Sequence, residues 1–126
     1  GAYRLKKNGN APKVTLVASG SEVHVALECA EKLEKQGVGA QVVSMVCTEL
    51  FDEQDDAYRG DILPDSTLKV SIEAGTTFGW ERYVGTDGLT IGIDRFGASA
   101  PAGDLFAKFG LTADAIVPQI MNKLNG

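Results

Sequence analysis

The chain has 126 residues, 44% of them hydrophobic, and a formal net charge of −5 from 17 acidic and 12 basic side chains. That is enough chain to build one domain with its own core, and the acidic balance argues against nucleic acid or an anionic membrane as a partner. A single histidine and two cysteines without CxxC spacing, Cys29 and Cys47, leave no His- or Cys-rich metal site.

No apolar run reaches transmembrane length, and the first residues lack the layout of a signal peptide. Two reduced thiols then suit a cytoplasmic protein. Residues 1–12 are expected to be an arm leading into a single domain over 13–126. Within the arm Tyr3-Arg4-Leu5 suits a short edge strand, and residues 6–10 form a basic turn. Residues 14–18, VTLVA, read as a strand covered on both faces.

Ser19-Gly20-Ser21 turns the chain into a helix opened by Glu22. Ser19 and Glu22 stand at capping-box spacing, with Ser21 as a second N-cap hydroxyl. Val23, Ala26, Leu27, Ala30 and Leu33 form an apolar stripe widened by Val25 and Cys29, opposite His24, Glu28, Glu31, Lys32 and Lys35. Gln36-Gly37 suits a left-handed C-cap, and a second apolar run at 40–46 completes a βαβ unit.

Residues 52–59 crowd acidic side chains at a helix start, where the dipole favours them, and Gly60 is expected to end the helix. A magnesium site on this run would need further oxygen ligands that the spacing does not supply. Leu68, Val70 and Ile72 alternate with Lys69, Ser71 and Glu73 in a third strand. Residues 80–84 suit a short aromatic helix and residues 89–93 a fourth core strand. Pro101 fits the first turn of a helix carrying Leu105, Phe106 and Phe109. Thr112 caps a last helix whose apolar side is Ile116, Val117, Ile120, Met121 and Leu124, with a kink expected at Pro118.

Strands alternating with helices predict an α/β sandwich with a mostly parallel sheet, whose strand carboxyl ends share one ligand-bearing edge. On that edge Gly20, Ser21 and Glu22 would offer backbone N–H groups to an anion, and Arg95 a second contact. The turn has neither GxGxxG nor GxxxxGK[ST] spacing, so a plain helix cap is the competing reading. His24 suits a general base only if the crevice opens beside it, and Ser21, Cys47 and Glu73 are equal nominees as its partners. Phe78, Trp80 and Tyr83 suit a stacking surface or, more commonly at this spacing, a core plug.

Four segments, taken as strings, resemble the C-terminal domain of the transketolase family: ASGSEVHVALECAEKL (18–33), VVSMVCTELFDEQDDAYR (42–59), EAGTTFGWERYVG (73–85) and IDRFGASAPAGDLFAKFGLTADAIV (93–117). Phe96-Gly97 followed by Ser99-Ala100-Pro101 is the most specific of them. Val46 departs from the pattern, since many relatives carry proline there. The resemblance implies a three-layer α/β/α sandwich with a five-stranded mixed sheet, mostly parallel, its short first strand antiparallel. It implies a homodimeric enzyme of the pentose phosphate pathway that moves a two-carbon ketol unit between sugar phosphates. Such an enzyme uses thiamine diphosphate and a divalent metal, magnesium or calcium.

In the family the coenzyme, metal and catalytic histidines belong to the preceding domains, so the resemblance assigns no catalytic, cofactor-binding or metal residue here. The implied work is packing against the remaining domains of the same enzyme and dimer contact. Phe96, Gly97, Ser99, Ala100 and Pro101 are the candidate interface, because side chains this small let another backbone approach closely. Two alternatives remain: a regulatory domain binding a small anion, and the C-terminal domain of a related thiamine enzyme of the 2-oxo acid dehydrogenase or deoxyxylulose phosphate synthase type.

Overall fold

In the computed structural model, residues 2–7, 12–45, 48–64, 66–73, 80–85, 87–92 and 112–125 are described. All five residues of the second strand, β2 (Val14–Ala18), are buried. This strand lies between two parallel neighbours, β3 (Ala40–Met45) and β4 (Leu68–Glu73), with Val14 opposite both Ala40 and Leu68. Beyond β3 the edge is β1 (Ala2–Lys7), which runs antiparallel with a register shift between Arg4 and Lys6. Beyond β4 the other edge is β5 (Leu89–Gly92), parallel to it. The sheet order is β1-β3-β2-β4-β5. The arm therefore contributes a longer strand than Tyr3-Arg4-Leu5. Residues 46, 47 and 93, expected at strand ends, and the helix expected after Pro101 lie outside the described residues.

The period of two along each strand sorts the core into two layers. Val14, Leu16, Ala18, Ala40, Val42, Val70, Ile72 and Ile91 face α1 (Val23–Lys35) and the last helix. Val17, Val43 and Met45 face the opposite way, under a second set of short helices. This is the three-layer α/β/α arrangement. In α1 the fully covered residues are Val25, Ala26, Cys29, Ala30 and Leu33. Val23 and Leu27 are only half-buried, so the stripe centres on the Val25–Cys29 side of its expected position.

The helix ends as its sequence predicts. Gly37 takes φ +80°, Val38 N–H reaches back to the Leu33 carbonyl at 2.9 Å, and Gly37 N–H to that of Glu34 at 3.0 Å. Its start differs from expectation. Ser19 and Glu22 make no side-chain cap, and a 3₁₀ turn over Gly20–Glu22 leads into the helix at Val23.

The acidic stretch also differs. It forms two helices, α2 (Thr48–Asp52) and α3 (Asp56–Ile62), and α3 continues through Gly60. Asp55 causes the break, since its carboxylate accepts the Tyr58 N–H at 2.7 Å as the N-cap of α3. Asp52 consequently ends a helix rather than starting one. A single turn, α4 (Glu81–Val84), follows β4. The last helix, α5 (Ala113–Asn125), has Thr112 Oγ1 accepting the Ala115 N–H at 3.3 Å and runs through Pro118. Lys32 on α1 pairs with Asp114 on α5 at 2.9 Å, and this hydrogen bond and its charge raise the Lys32 ammonium above its ordinary pKa.

On the α3 side, the amino-terminal half of the sheet is polar. Arg4 Nε donates to Gln41 Oε1 at 2.9 Å, and Gln41 Nε2 donates to Thr15 Oγ1 at 2.8 Å and to the Ile62 carbonyl at 3.2 Å. Thr67 gives its proton to the Pro64 carbonyl at 2.9 Å, so Thr15 is the donor in its 2.7 Å contact with Thr67. Gln41 and Thr15 are fully covered, and each of their side-chain polar atoms is hydrogen-bonded. Replacing Gln41 by Leu would leave the Ile62 carbonyl and the Arg4 Nε donor without that partner. Each buried group orphaned costs about 1–3 kcal/mol. Gln41→Leu is therefore expected to lower unfolding free energy by at least about 2 kcal/mol in urea titration. An unchanged midpoint would show that the chain of hydrogen bonds contributes nothing.

Candidate functional site at the carboxyl ends of the strands

The parallel register brings Ala18 level with Ser44 and Ile72, so the turn after β2 meets the end of β4. There Ser19 Oγ donates to Glu73 Oε2 at 2.6 Å, a charge-assisted bond across 54 residues of sequence. This bond takes the hydroxyl that the sequence offers to the helix start. Gly20 holds φ +58°, a conformation that side chains with a Cβ avoid. A Cβ built there would lie 3.6 Å from Glu22 Oε2, so the Glu22 carboxylate, buried to 6% exposure, curls back over the turn. The seat proposed for an anion at Gly20, Ser21 and Glu22 is thus bordered by two carboxylates of the protein itself, Glu22 and Glu73.

Arg95, the other expected anion contact, lies outside the described residues. So do Cys47, Phe78 and the whole candidate interface of Phe96, Gly97, Ser99, Ala100 and Pro101. His24 is exposed on the polar arc of α1. Trp80 and Tyr83 pack edge-to-face at 5.7 Å, and Tyr83 meets Phe51 at 5.9 Å, so these rings close the α2–α4 layer.

Cys29 is fully buried, and loss of solvation, reinforced by the charge of Glu28, pushes its thiol up to about 12. At neutral pH it is a packed thiol with no nucleophilic character.

A second constellation was not legible in the sequence. Asp52 at the end of α2 accepts from Arg82 on α4, and the Tyr83 hydroxyl lies 3.2 Å and 3.3 Å from its two oxygens. The Arg82 guanidinium also lies over the Tyr83 ring, 5.1 Å from its centre. Arg59 pairs with Asp56 one turn earlier on α3. Three acidic side chains of 52–56 are thereby divided among separate partners: Asp52 with Arg82, Asp55 with the α3 backbone, Asp56 with Arg59. Among the described residues no group of three or more His, Cys, Asp or Glu converges as a metal site. A diphosphate-bound divalent metal needs a convergent set of hard oxygen ligands, and these carboxylates do not form one.

A mixed, mostly parallel sheet covered by helices on both faces defines the class as a three-layer α/β/α domain. The family model described as the transketolase-like TK C-terminal domain matches residues 1–112, and the chain belongs to that family. Chloroplastic transketolases of Solanum tuberosum and Craterostigma plantagineum are each 52% identical over 120 residues, 93% of this chain but 16% and 23% of theirs. Transketolase from Leishmania mexicana superposes with a TM-score of 0.85 at 44% identity, covering 94% of this chain and 17% of that one. The transketolase of Pichia stipitis in complex with sedoheptulose 7-phosphate gives 0.88 at 34% identity, covering 99% and 18%. A split-gene transketolase, described as an inactive β4 tetramer, gives 0.67 at 28% identity, covering 98% and 42%.

The chain thus spans about a sixth to a quarter of the length of these plant relatives. The cytoplasmic location expected from composition is overturned by them, since the potato, Craterostigma and spinach relatives are named chloroplastic. Compartment is carried by targeting segments, and thiol count does not report on those. Among the described residues no helix is long and apolar enough to cross a membrane.

The Cys29 thiol supplies a pH prediction. Its pKa is higher folded than the ordinary 9.0, so its contribution to stability is complete below about pH 9 and is lost as pH rises towards 12. At 1.36 kcal/mol per pH unit the loss by pH 10.5 is about 2 kcal/mol. Urea midpoints at pH 8 and 10.5 should diverge more in the native chain than in Cys29→Ala. Equal divergence would mean that Cys29 does not titrate differently on unfolding.

Proposed function

We propose that this chain is the C-terminal domain of a transketolase and that it works by packing and assembly rather than by chemistry. The observation that carries this reading is the family match over residues 1–112, joined to a strand-end turn where Ser19 is bonded to Glu73 and the Glu22 carboxylate lies over Gly20. In the whole enzyme, ketol transfer between sugar phosphates would rest on thiamine diphosphate and a divalent metal held by other domains. When bound, the coenzyme supplies the carbanion chemistry. The residues of this chain would contribute a rigid sheet against which those domains dock, in a homodimer serving the pentose phosphate pathway. A plastid setting is favoured by the chloroplastic relatives. The split-gene relative, described as an inactive β4 tetramer, supports a division of labour between parts of such an enzyme.

The regulatory reading with an anion on Gly20 and Ser21 is disfavoured by the carboxylates of Glu22 and Glu73 bordering that turn. The match to transketolases over most of the chain sets aside the other thiamine enzymes.

Calorimetric titration of the chain with thiamine diphosphate and magnesium is expected to give no saturable heat, and the chain alone no ketol transfer. Saturable micromolar binding would overturn the assignment. The small-residue stretch Phe96, Gly97, Ser99, Ala100 and Pro101 is proposed as the surface that meets the rest of the enzyme. In a full-length relative carrying this domain, Ala100→Arg should weaken dimerisation by at least about tenfold, measured by analytical ultracentrifugation. Unchanged dimerisation would remove the stretch from the interface.

A further inference from the structure

The two helical layers present different outer surfaces. Along α1 the exposed side chains are His24, Glu28, Glu31, Glu34 and Lys35, a hydrated polar arc. On α2 and α3 stand the two large hydrophobic side chains that are exposed among the described residues, Leu50 at 52% and Tyr58 at 37%. Inside this second layer the arginines are matched. A cavity of about 290 Å³ between α3, β4 and α4 has Arg82 paired with Asp52 and Arg59 with Asp56. On the outside, Glu49 and Glu53 flank Leu50 in the chain, are exposed, and make no ion pair with a described residue. An apolar anchor beside unmatched charges is the composition of one half of a protein interface.

The sheet register places this surface beside the entry of the chain. β1 runs antiparallel to β3 with Ala2 opposite Met45, so its first residue stands at the carboxyl end of β3. Leu50 follows Met45 by five positions, and at no more than about 3.6 Å per residue their Cα atoms lie within roughly 18 Å. The chain belongs to a C-terminal domain family and spans 16% and 23% of two plant relatives. In a protein of their length the remaining chain would join ahead of β1. A domain of about 100 residues has a radius of gyration of about 13 Å, wide enough to cover α2 from that junction.

We propose that α2 is the seat of the domain that precedes β1 in the whole enzyme. Leu50 is its apolar anchor, and a basic rim on that domain faces Glu49 and Glu53. Opposite charge around a desolvated leucine fixes the orientation of docking as well as strengthening it. This placement rests on the packing role proposed above and names the face that carries it. The face is separate in sequence from residues 96–101.

The test is amide hydrogen exchange on the chain alone and on a full-length transketolase carrying it as its C-terminal domain. Exchange across residues 48–53 is expected to slow by about tenfold or more in the full-length protein. The exposed arc of α1 should exchange alike in both. Leu50→Arg should leave the urea midpoint of the chain alone unchanged, because Leu50 stands largely in water, yet abolish the added protection in the full-length protein. The double variant Glu49→Lys with Glu53→Lys should reduce that protection, and Glu31→Lys on α1 should not. Equal exchange of 48–53 in both proteins, with slowing elsewhere, would overturn the placement and leave the packing role intact. Slowing nowhere would overturn both. Protection that survives Leu50→Arg and the double variant, or that is lost on dilution because a second copy covers the face, would also overturn the placement.

Discussion

The chain of hydrogen bonds from Arg4 through Gln41, Thr15 and Thr67 to the Pro64 carbonyl ties three strands, β1, β3 and β2, to the loop before β4. It has a single direction, because the arginine can only donate and the proline carbonyl can only accept. Gln41 is therefore held with its oxygen towards Arg4 and its nitrogen towards Thr15. In a buried setting each bond polarises the next, so the group behaves as a unit. A side branch from Gln41 satisfies the Ile62 carbonyl at the end of α3, and Arg4 reaches the Asp61 carbonyl at 2.6 Å. The same interactions thus dock β1 on the sheet edge and seat α3 on the sheet face.

That constraint explains why the two faces of the sheet differ. The α1–α5 side is continuous hydrocarbon from Val14 to Ile120, and its helices are long. The α2–α4 side divides into the polar chain at the amino ends of the strands and a small apolar cluster around Val17, Val43 and Phe51 nearer their carboxyl ends. Short helices suffice there because hydrogen bonds hold α3, and an Asp52–Arg82 pair joins α2 to α4. Helices that are pinned by polar contacts, rather than by broad apolar stripes, leave room for a charged cavity between them.

What the sequence disclosed followed the range of the interactions. The βαβ unit from Val14 to Met45 was legible because each of its signals is local: an apolar run, a 3.6-residue stripe, a Gly37 cap, a second run. The start of α1 was not, because Ser19 resembles an N-cap until Glu73, 54 residues away, claims its hydroxyl. Within the acidic run, Asp55 competes with Asp52 as a helix starter, and composition alone does not rank them. Gln41 sits inside an apolar stretch and carries no sign that a buried threonine on the next strand awaits it. Arg59, Lys69 and Arg82 are ordinary surface residues in sequence and become neighbours only when α3, β4 and α4 fold together. Chemical resemblance, by contrast, reached the family directly from four strings of residues.

The placement of β1 has a consequence for the order in which the protein can form. Its partner is β3, and the Arg4 bonds to Gln41 and Asp61 span 37 and 57 residues of chain. During synthesis β1 leaves the ribosome before its partner, and no edge exists for it to join until β3 has emerged, on the order of seconds later. Closing so long a loop is slow relative to building the local βαβ unit, so β1 settles after that unit has formed. Until then the outer edge of β3 stands open with its backbone groups unpaired, the surface through which nascent chains pair wrongly with one another. The antiparallel strand β1 therefore joins after its partner strand, as the piece that seals this edge of the sheet.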